Sequence, residues 1–237
     1  MVTRQPLTRR DLLLLTTPDD TEDAPWMVMS DQQWHAVDQF MSILNLHVER
    51  QRLPWYTASY LKITMPRGPG ERPLDVAPDA FMVDAERRMR ESWNVVAEGK
   101  PPRFVLEVLG EKSWTRDTEE KPDIYDAMGV REYALFWPRR RRGGPLLFGY
   151  RRSATGTLVP WETDEQGMLR SSELGGLRLH VEDLQWLRLV DLAGKRLPTE
   201  AEEAAARYDA ERRAAEAEAE IERLRDEIRR LREQRDA

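Results

Sequence analysis

The chain has 237 residues, of which 40% are hydrophobic, so it can bury one core of good size and still carry an additional segment. The formal net charge is −6, and residues 199–237 contribute −4 of it. The nearly neutral remainder argues against a protein that coats nucleic acid over its whole surface, although it leaves room for a local basic patch.

The absence of cysteine excludes disulfides and thiolate metal sites, and it is compatible with a reducing cytoplasm. Near the N-terminus, a basic pair is followed by a run of only four leucines, which begins at Leu12. Such a run is too short for a secretory signal or for a membrane span. We therefore expect a cytoplasmic protein with no membrane contact.

Residues 1–25 are polar and acidic and are predicted to form an N-terminal tail. An amphipathic helix is predicted to begin after Ser30 or Asp31, either of which is a suitable cap. Its apolar stripe consists of Trp34, Val37, Met41, Leu44 and Val48. None of the three histidines has the spacing of a metal ligand.

Two strands are predicted next, over residues 55–66 and 74–84. The second contains Pro78 and Asp79 in its middle. A proline inside a strand indicates an edge position or a distortion, and it can turn the following side chain away from the ladder. Asp79 is therefore a candidate carboxylate at the sheet.

Glu107 is the acidic residue of an otherwise apolar run, FVLEVL, which is typical of a buried strand. A buried carboxylate without a partner costs several kcal/mol, so we expect a cation or a metal beside it. Residues 84–100 are charged and are predicted to form a surface excursion with a short helix. Asp79 and Glu107 can therefore lie on neighbouring strands.

A helix that packs on the sheet is predicted around Lys121 and Tyr125, with Pro122 in its first turn and Gly129 at its end. Residues 131–138 and 146–152 are predicted to form a hairpin, and shorter strands follow. The alternation of strands and helices indicates an α/β fold.

Two carboxylates on adjacent strands with a lysine nearby suit Mg²⁺, which accepts one or two protein carboxylates and retains several waters. In this interpretation Asp79 and Glu107 hold the metal, and Lys121 assists an attacking water. In the alternative, Asp79 lies in a turn, Glu107 pairs with an arginine, and Lys121 is a solvated helix start.

An ordered series of segments resembles the Uma2 family, also called DUF820, over residues 26–198. The segments are LDVAPDAFMV, PPRFVLEVL, DTEEKPDIY, GVREYALFWP and PLLFGY. The resemblance implies a fold similar to that of PD-(D/E)XK restriction endonucleases, with a mixed sheet flanked by helices. It also implies a Mg²⁺- or Mn²⁺-dependent endonuclease that acts on DNA.

The resemblance assigns metal binding to Asp79 and Glu107. The superfamily's usual lysine would fall at position 109, where this chain has leucine, and the resemblance gives the lysine role to Lys121. Asp117 matches another recurrent position and would orient that lysine, while Lys112 is a second candidate for the lysine role. The family's usual Ser-x-Ser/Thr step and N-terminal glutamate segment are not evident in this sequence.

The only dense basic cluster is Arg139, Arg140, Arg141 and Arg142. At a hairpin tip these arginines can contact DNA phosphates, and equally they can be a solvated turn.

Residues 199–237 predict a long helix that opens with a capping box of Thr199 and Glu202. Its apolar residues follow a heptad seam, with isoleucine at a and leucine at d, which favours a parallel two-stranded coiled coil. The heptad seam consists of Ile221, Leu224, Ile228 and Leu231. A homodimer is the predicted assembly, and a single charged surface helix is the alternative.

Two functions follow from the sequence. The first is a metal-dependent endonuclease dimerised through its tail. The second is a nuclease-like binding or adaptor module that has lost catalysis, which Leu109 and the near-neutral body suggest.

Overall fold

The structure is a computed structural model that describes residues 30–110, 113–138 and 146–235. The predicted tail of residues 1–25, Lys112 and the arginines at 139–142 lie outside the described residues. The chain divides into two compact units, one ending at Leu197 and the other beginning at Pro198.

The first unit is built mainly from β-strands. The strands are β1 (Trp55–Ala58), β2 (Ile63–Met65), β3 (Leu74–Val76), β4 (Ala80–Asp84), β5 (Trp93–Asn94), β6 (Phe104–Val108), β7 (Glu132–Phe136), β8 (Leu147–Arg152), β9 (Leu158–Trp161), β10 (Leu169–Arg170), β11 (Arg178–Glu182) and β12 (Trp186–Val190). The helices are α1 (Asp31–Arg50), α2 (Val95–Glu98), a π-helix (Arg116–Glu120) that runs into α3 (Lys121–Met128), and α4 (Glu200–Arg235).

Six strands form the central sheet, in the order β1-β4-β6-β7-β8-β9. The β6 and β7 strands are parallel, and all other neighbours in this sheet are antiparallel. Two three-stranded sheets accompany it, β10-β11-β12 and β3-β2-β5. The predicted mixed sheet with flanking helices is thus confirmed.

The two faces of the central sheet bury separate cores. One face packs against α1 and the β10-β11-β12 sheet. The other packs against α3 and the β3-β2-β5 sheet. Because side chains alternate along a strand, Phe104 and Leu106 of β6 belong to the first core, whereas Val105 belongs to the second.

The predicted first helix is confirmed, with Ser30 as its cap in a capping box with Gln33. The prediction that Trp34 lies on its buried stripe is wrong, because this side chain is 51% exposed and lies against His35. The buried stripe instead includes Ala36 and Phe40.

The predicted strands over residues 55–66 and 74–84 each prove to be two shorter strands. The β1 and β4 strands join the central sheet, while β2 and β3 pair in a separate one. Pro78 and Asp79 lie between β3 and β4, because proline cannot donate a ladder hydrogen bond.

The second unit is a single helix, α4, which contains no buried residue among those described. The predicted capping box is present, since Thr199 accepts from the backbone of Glu202 and the Glu202 side chain accepts from the backbone of Thr199. Within the described residues no helix is long and apolar enough to cross a membrane.

Candidate active site

Asp79 is the first acidic residue of the site and lies just before β4. The antiparallel register places Ala80 opposite Leu106, so Asp79 is beside the end of β6. The backbone N–H of Val108 donates to Asp79 Oδ2 at 2.6 Å. The proline-interrupted strand therefore fixes this carboxylate next to the residue that follows Glu107.

Glu107 occupies the fourth position of β6 and is only 2% exposed. Its Oε1 atom accepts from Lys121 Nζ at 2.7 Å and from the Tyr125 hydroxyl at 2.7 Å. In the described structure its cationic partner is thus a lysine, and the alternative pairing with an arginine is not observed.

Lys121 and Asp117 come from one helical segment, in which the π-helix passes directly into α3. The Lys121 Nζ atom lies 2.7 Å from Asp117 Oδ1, and both side chains are buried. The Tyr133 hydroxyl donates to the backbone carbonyl of Asp117 at 2.8 Å. Lys121 is therefore not a solvated helix start, since its ammonium bridges two buried carboxylates.

Burial strongly changes the acidity of this group. Burial raises the pKa of Glu107 to about 8, although Lys121 opposes the rise. Burial also raises the pKa of Asp79 to about 6, opposed by Lys121 and by the Val108 N–H. Burial alone would lower the pKa of Lys121, but the surrounding carboxylates outweigh it and raise that pKa above its usual range. The lysine stays charged while the two acids retain a proton more readily than exposed carboxyls.

Two further residues of the site were not predicted. Tyr125 was expected only as a packing residue, yet its hydroxyl binds Glu107. Gln33 donates from Nε2 to the carbonyl of Val108 at 3.0 Å, over a sequence separation of 75 residues. The Ser30 to Gln33 spacing signals a capping box, but no sequence pattern signals the contact with β6.

Glu132 is a useful contrast because it is as deeply buried as Glu107. Its carboxylate accepts from the hydroxyls of Ser171 and Ser172 and from the Ser172 backbone N–H. These donors satisfy the charge locally, as a structural carboxylate requires. The Arg151 guanidinium also lies 4.0 Å from the Glu132 carboxylate. Glu107 lies among three charged groups, Lys121, Asp117 and Asp79, an arrangement that is typical of functional sites.

The donor set fits a hard cation such as Mg²⁺. Asp79 and Glu107 supply two carboxylates at the end of β6, where the Val108 N–H donates to Asp79 Oδ2 and each acid affects the pKa of the other. Mg²⁺ commonly takes one or two protein carboxylates and keeps waters in its other positions. No cluster of three or more His, Cys, Asp or Glu side chains suited to a metal occurs among the described residues. The fit therefore rests on two ligands.

The structure brings together four of the predicted residues, Asp79, Glu107, Lys121 and Asp117. The other predicted candidates, Lys112 and Arg139–Arg142, lie outside the described residues. The seam residues Ile221, Leu224, Ile228 and Leu231 are 43–58% exposed on α4. Their role in dimerisation stays a prediction.

This chain is similar to a known protein family and to solved structures. The model of the Uma2 family, described as "Putative restriction endonuclease", matches residues 26–182. No curated protein matches the chain. A crystal structure described as "a putative nuclease belonging to DUF820 from Anabaena variabilis ATCC 29413" is 15% identical, with a TM-score of 0.47, and the match covers 66% of this chain and 81% of that one. The family match ends before residue 198, so the predicted domain boundary there stays a prediction.

Proposed function

The chain belongs to the Uma2 family, and we propose that it is a metal-dependent endonuclease that hydrolyses phosphodiester bonds of DNA. The observation that carries the proposal is the convergence of Asp79, Glu107 and Lys121 at the end of β6. A lysine and two carboxylates with strongly perturbed pKa values are expected where charge must be handled during a reaction.

Asp79 and Glu107 would hold Mg²⁺ or Mn²⁺. When bound, such an ion supplies charge stabilisation for a phosphoryl oxygen and lowers the pKa of a coordinated water. The Val108 N–H orients Asp79, and the Tyr125 hydroxyl orients Glu107. These contacts support a preorganised pair of ligands.

Lys121 would position the attacking water and offset the charge that develops on the phosphate. Leu109, at the usual lysine position, is buried and apolar and cannot take this role. The Lys121 ammonium reaches Glu107 from the helix instead, and Asp117 holds it there as a positioning residue.

Nicking of supercoiled DNA in the presence of Mg²⁺ or Mn²⁺ tests the proposal. Asp79→Asn and Glu107→Gln preserve side-chain volume, and each should lower the rate by about a hundredfold or more. Glu119→Gln is the matched control, because Glu119 is exposed on the same helical segment. Undiminished nicking by both folded site variants would overturn the site.

Calorimetric titration with Mn²⁺ separates the proposed roles. Asp79→Asn should lose metal binding, whereas Lys121→Met should retain it and still lose nicking. If both carboxylate variants still bind Mn²⁺, the metal site must lie elsewhere. Circular dichroism at each step establishes that the variants are folded.

A second candidate function is a nuclease-like binding or adaptor module without catalysis. Leu109, in place of the usual lysine, favours this candidate. It predicts that the wild-type protein binds no Mn²⁺ in the calorimeter and that a partner is captured through residues 199–237. Metal-dependent nicking by the wild-type protein would exclude it.

Homodimerisation through α4 forms part of both candidates. Exposed isoleucine and leucine recur along the heptad seam, and Glu220 and Glu227 can meet Arg225 and Arg232 of a second copy. Helix α4 has no buried residue of its own, so burial of this seam requires another surface. A cytoplasmic location forms part of the proposal, and the lack of cysteine is compatible with it.

A further inference from the structure

Three aromatic side chains cluster beside the candidate active site. The ring centroid of Trp114 lies 4.4 Å from that of Trp137 and 6.0 Å from that of Phe148. All three remain partly exposed at the edge of the core. We propose that this aromatic cluster binds an unpaired base of the DNA strand whose phosphate lies at Asp79 and Glu107. The inference rests on the proposed function and adds the substrate class.

The sheet register places the aromatic cluster on the Glu107 face. Glu107 pairs with Leu135 on β7, and Leu135 pairs with Phe148 on β8. Phe148 is therefore two strands from Glu107, or about 10 Å at the usual strand spacing. Trp137 continues β7 two residues beyond Leu135, about 8 Å from the Glu107 backbone by the same geometry.

The helical segment that packs on the sheet also places Trp114 near the candidate site. Trp114 precedes the π-helix by two residues, and the Thr118 hydroxyl of that helix donates to the Trp114 carbonyl at 2.7 Å. Asp117 and Lys121 are buried, whereas Trp114 is only partly buried. The aromatic cluster thus adjoins the helical segment that carries Asp117 and Lys121.

Several other aromatic residues on this face are fully packed, although Tyr150 is partly buried like the cluster. Trp93 is 0% exposed, and its indole N–H donates to the Lys100 carbonyl at 2.9 Å. Tyr125 and Tyr133 are also 0% exposed. Trp114 and Trp137 are only partly buried, and their rings meet at 42°, so the two rings are not stacked face to face.

A nucleobase suits this surface chemically. Every base has a π-face, and exposed aromatic side chains stack such bases in proteins that bind single strands. A separation of about 10 Å corresponds to about three stacked nucleotide steps of about 3.4 Å. A strand held at the carboxylate pair therefore reaches the cluster with a base only a few nucleotides away. In an intact duplex that base is stacked on its neighbours and cannot use the cluster.

The test compares two probes of equal length and charge, a fluorescein-labelled single-stranded oligothymidylate and the corresponding abasic sugar-phosphate strand. Binding is followed by fluorescence anisotropy in Ca²⁺, a hard cation that binds carboxylate oxygens and can stand in for Mg²⁺ at Asp79 and Glu107. Gel analysis of both probes after the measurement establishes that neither strand is cleaved. Stacking of one base predicts that the wild-type protein prefers the strand with bases by about 5-fold to 150-fold. Phosphate contacts alone predict equal affinity.

Trp114→Ala and Trp137→Ala should each reduce this preference towards one while leaving the affinity for the abasic strand unchanged. Trp34→Ala is the matched control, since Trp34 is 51% exposed but lies on α1 against His35. The control should keep the full preference.

Equal wild-type affinity for both probes overturns the inference, as does a preference that survives both cluster substitutions. Tighter binding of a blunt duplex that is unaffected by Trp114→Ala also overturns it. If Trp114→Ala fails to fold, the wild-type comparison and Trp137→Ala still decide. Anisotropy measures binding and not cleavage, so the two proposals can fail separately. Nicking without a base preference removes only this inference, and a base preference without nicking removes only the catalytic proposal.

Discussion

Replacement of Glu107 by glutamine should stabilise the metal-free protein at alkaline pH and leave it nearly unchanged in acid. Glutamine has the same shape as the protonated acid, so little is lost where Glu107 is already neutral. Above the raised pKa, wild-type Glu107 must carry a charge in a buried position where only 2% of the residue is exposed. The variant avoids that charge.

The magnitude follows from the shift in pKa. Burial raises the pKa of Glu107 from 4.5 to about 8, and at about 1.4 kcal/mol per unit this corresponds to about 5 kcal/mol. The charges of Asp79 and Lys121 are coupled to that of Glu107, so the substitution recovers only part of this free energy. We expect the free energy of unfolding of Glu107→Gln at alkaline pH to exceed that of the wild type by about 2 to 4 kcal/mol.

The sign follows from proton linkage. The folded protein binds more protons at Glu107 than the unfolded chain does between pH 4.5 and about 8. The free energy of unfolding of the wild type therefore falls as the pH rises through this window. The stabilisation that Glu107 contributes is fully present only below pH 4.5. In Glu107→Gln the free energy of unfolding should fall less over this pH range. The part of the fall that Asp79 causes should remain, between its usual pKa of 3.8 and its raised pKa of about 6.

Urea denaturation followed by circular dichroism, in chelator and across this pH range, measures the effect. Glu119→Gln serves as the control, because Glu119 is exposed and should follow the wild-type profile. Parallel pH profiles for the wild type and Glu107→Gln would refute the assignment of an unfavourable buried charge to Glu107.

Three further outcomes are expected. Tyr125→Phe removes the hydroxyl that donates to Glu107 at 2.7 Å, so it should cost about 1 to 3 kcal/mol at alkaline pH in urea denaturation and less in acid; an equal cost at both would contradict this. Gly110→Ala places a Cβ 2.8 Å from Gln33 Nε2, so it should lower the free energy of unfolding by about 1 kcal/mol. When Gln33→Ala is already present, the same substitution should lower it little further. Additive losses in this double-mutant cycle would disprove the coupling. Ile228→Lys should give monomers in sedimentation equilibrium at concentrations where the wild type is dimeric, since Ile228 is 50% exposed on the seam; an unchanged mass would exclude the coiled coil.

The elements that carry the site were predictable because their signals are local. The apolar run around Glu107 indicates a buried strand, and the spacing from Lys121 to Met128 with Gly129 at the end indicates a helix. Pro78 signals an interruption, and the structure places that interruption between two strands of different sheets. These patterns depend on a few neighbouring residues only.

The contacts that the sequence did not predict are long-range. Gln33 reaches Val108 because α1 packs across the sheet, and no spacing within either segment encodes that approach. Trp34 was misplaced because at about 100° per residue it lies about 100° from the middle of the buried stripe of α1. The spacing of three and four residues that joins Trp34, Val37 and Met41 does not distinguish the middle of the stripe from its margin, and the Trp34 ring lies 5.1 Å from the His35 ring instead of in the core.

The buried charges of the site have a cost that the fold itself does not require. Glu132 is equally buried, yet its serine donors satisfy it. Glu107 could have been satisfied in the same way, but it shares a single lysine with Asp117 and lies beside Asp79. Burial is the main cause of its raised pKa, and the negative charges of Asp117 and Asp79 raise it further. Such an excess of negative charge is removed by a divalent cation between two carboxylates, so the local instability of the metal-free site is itself an argument for metal binding there.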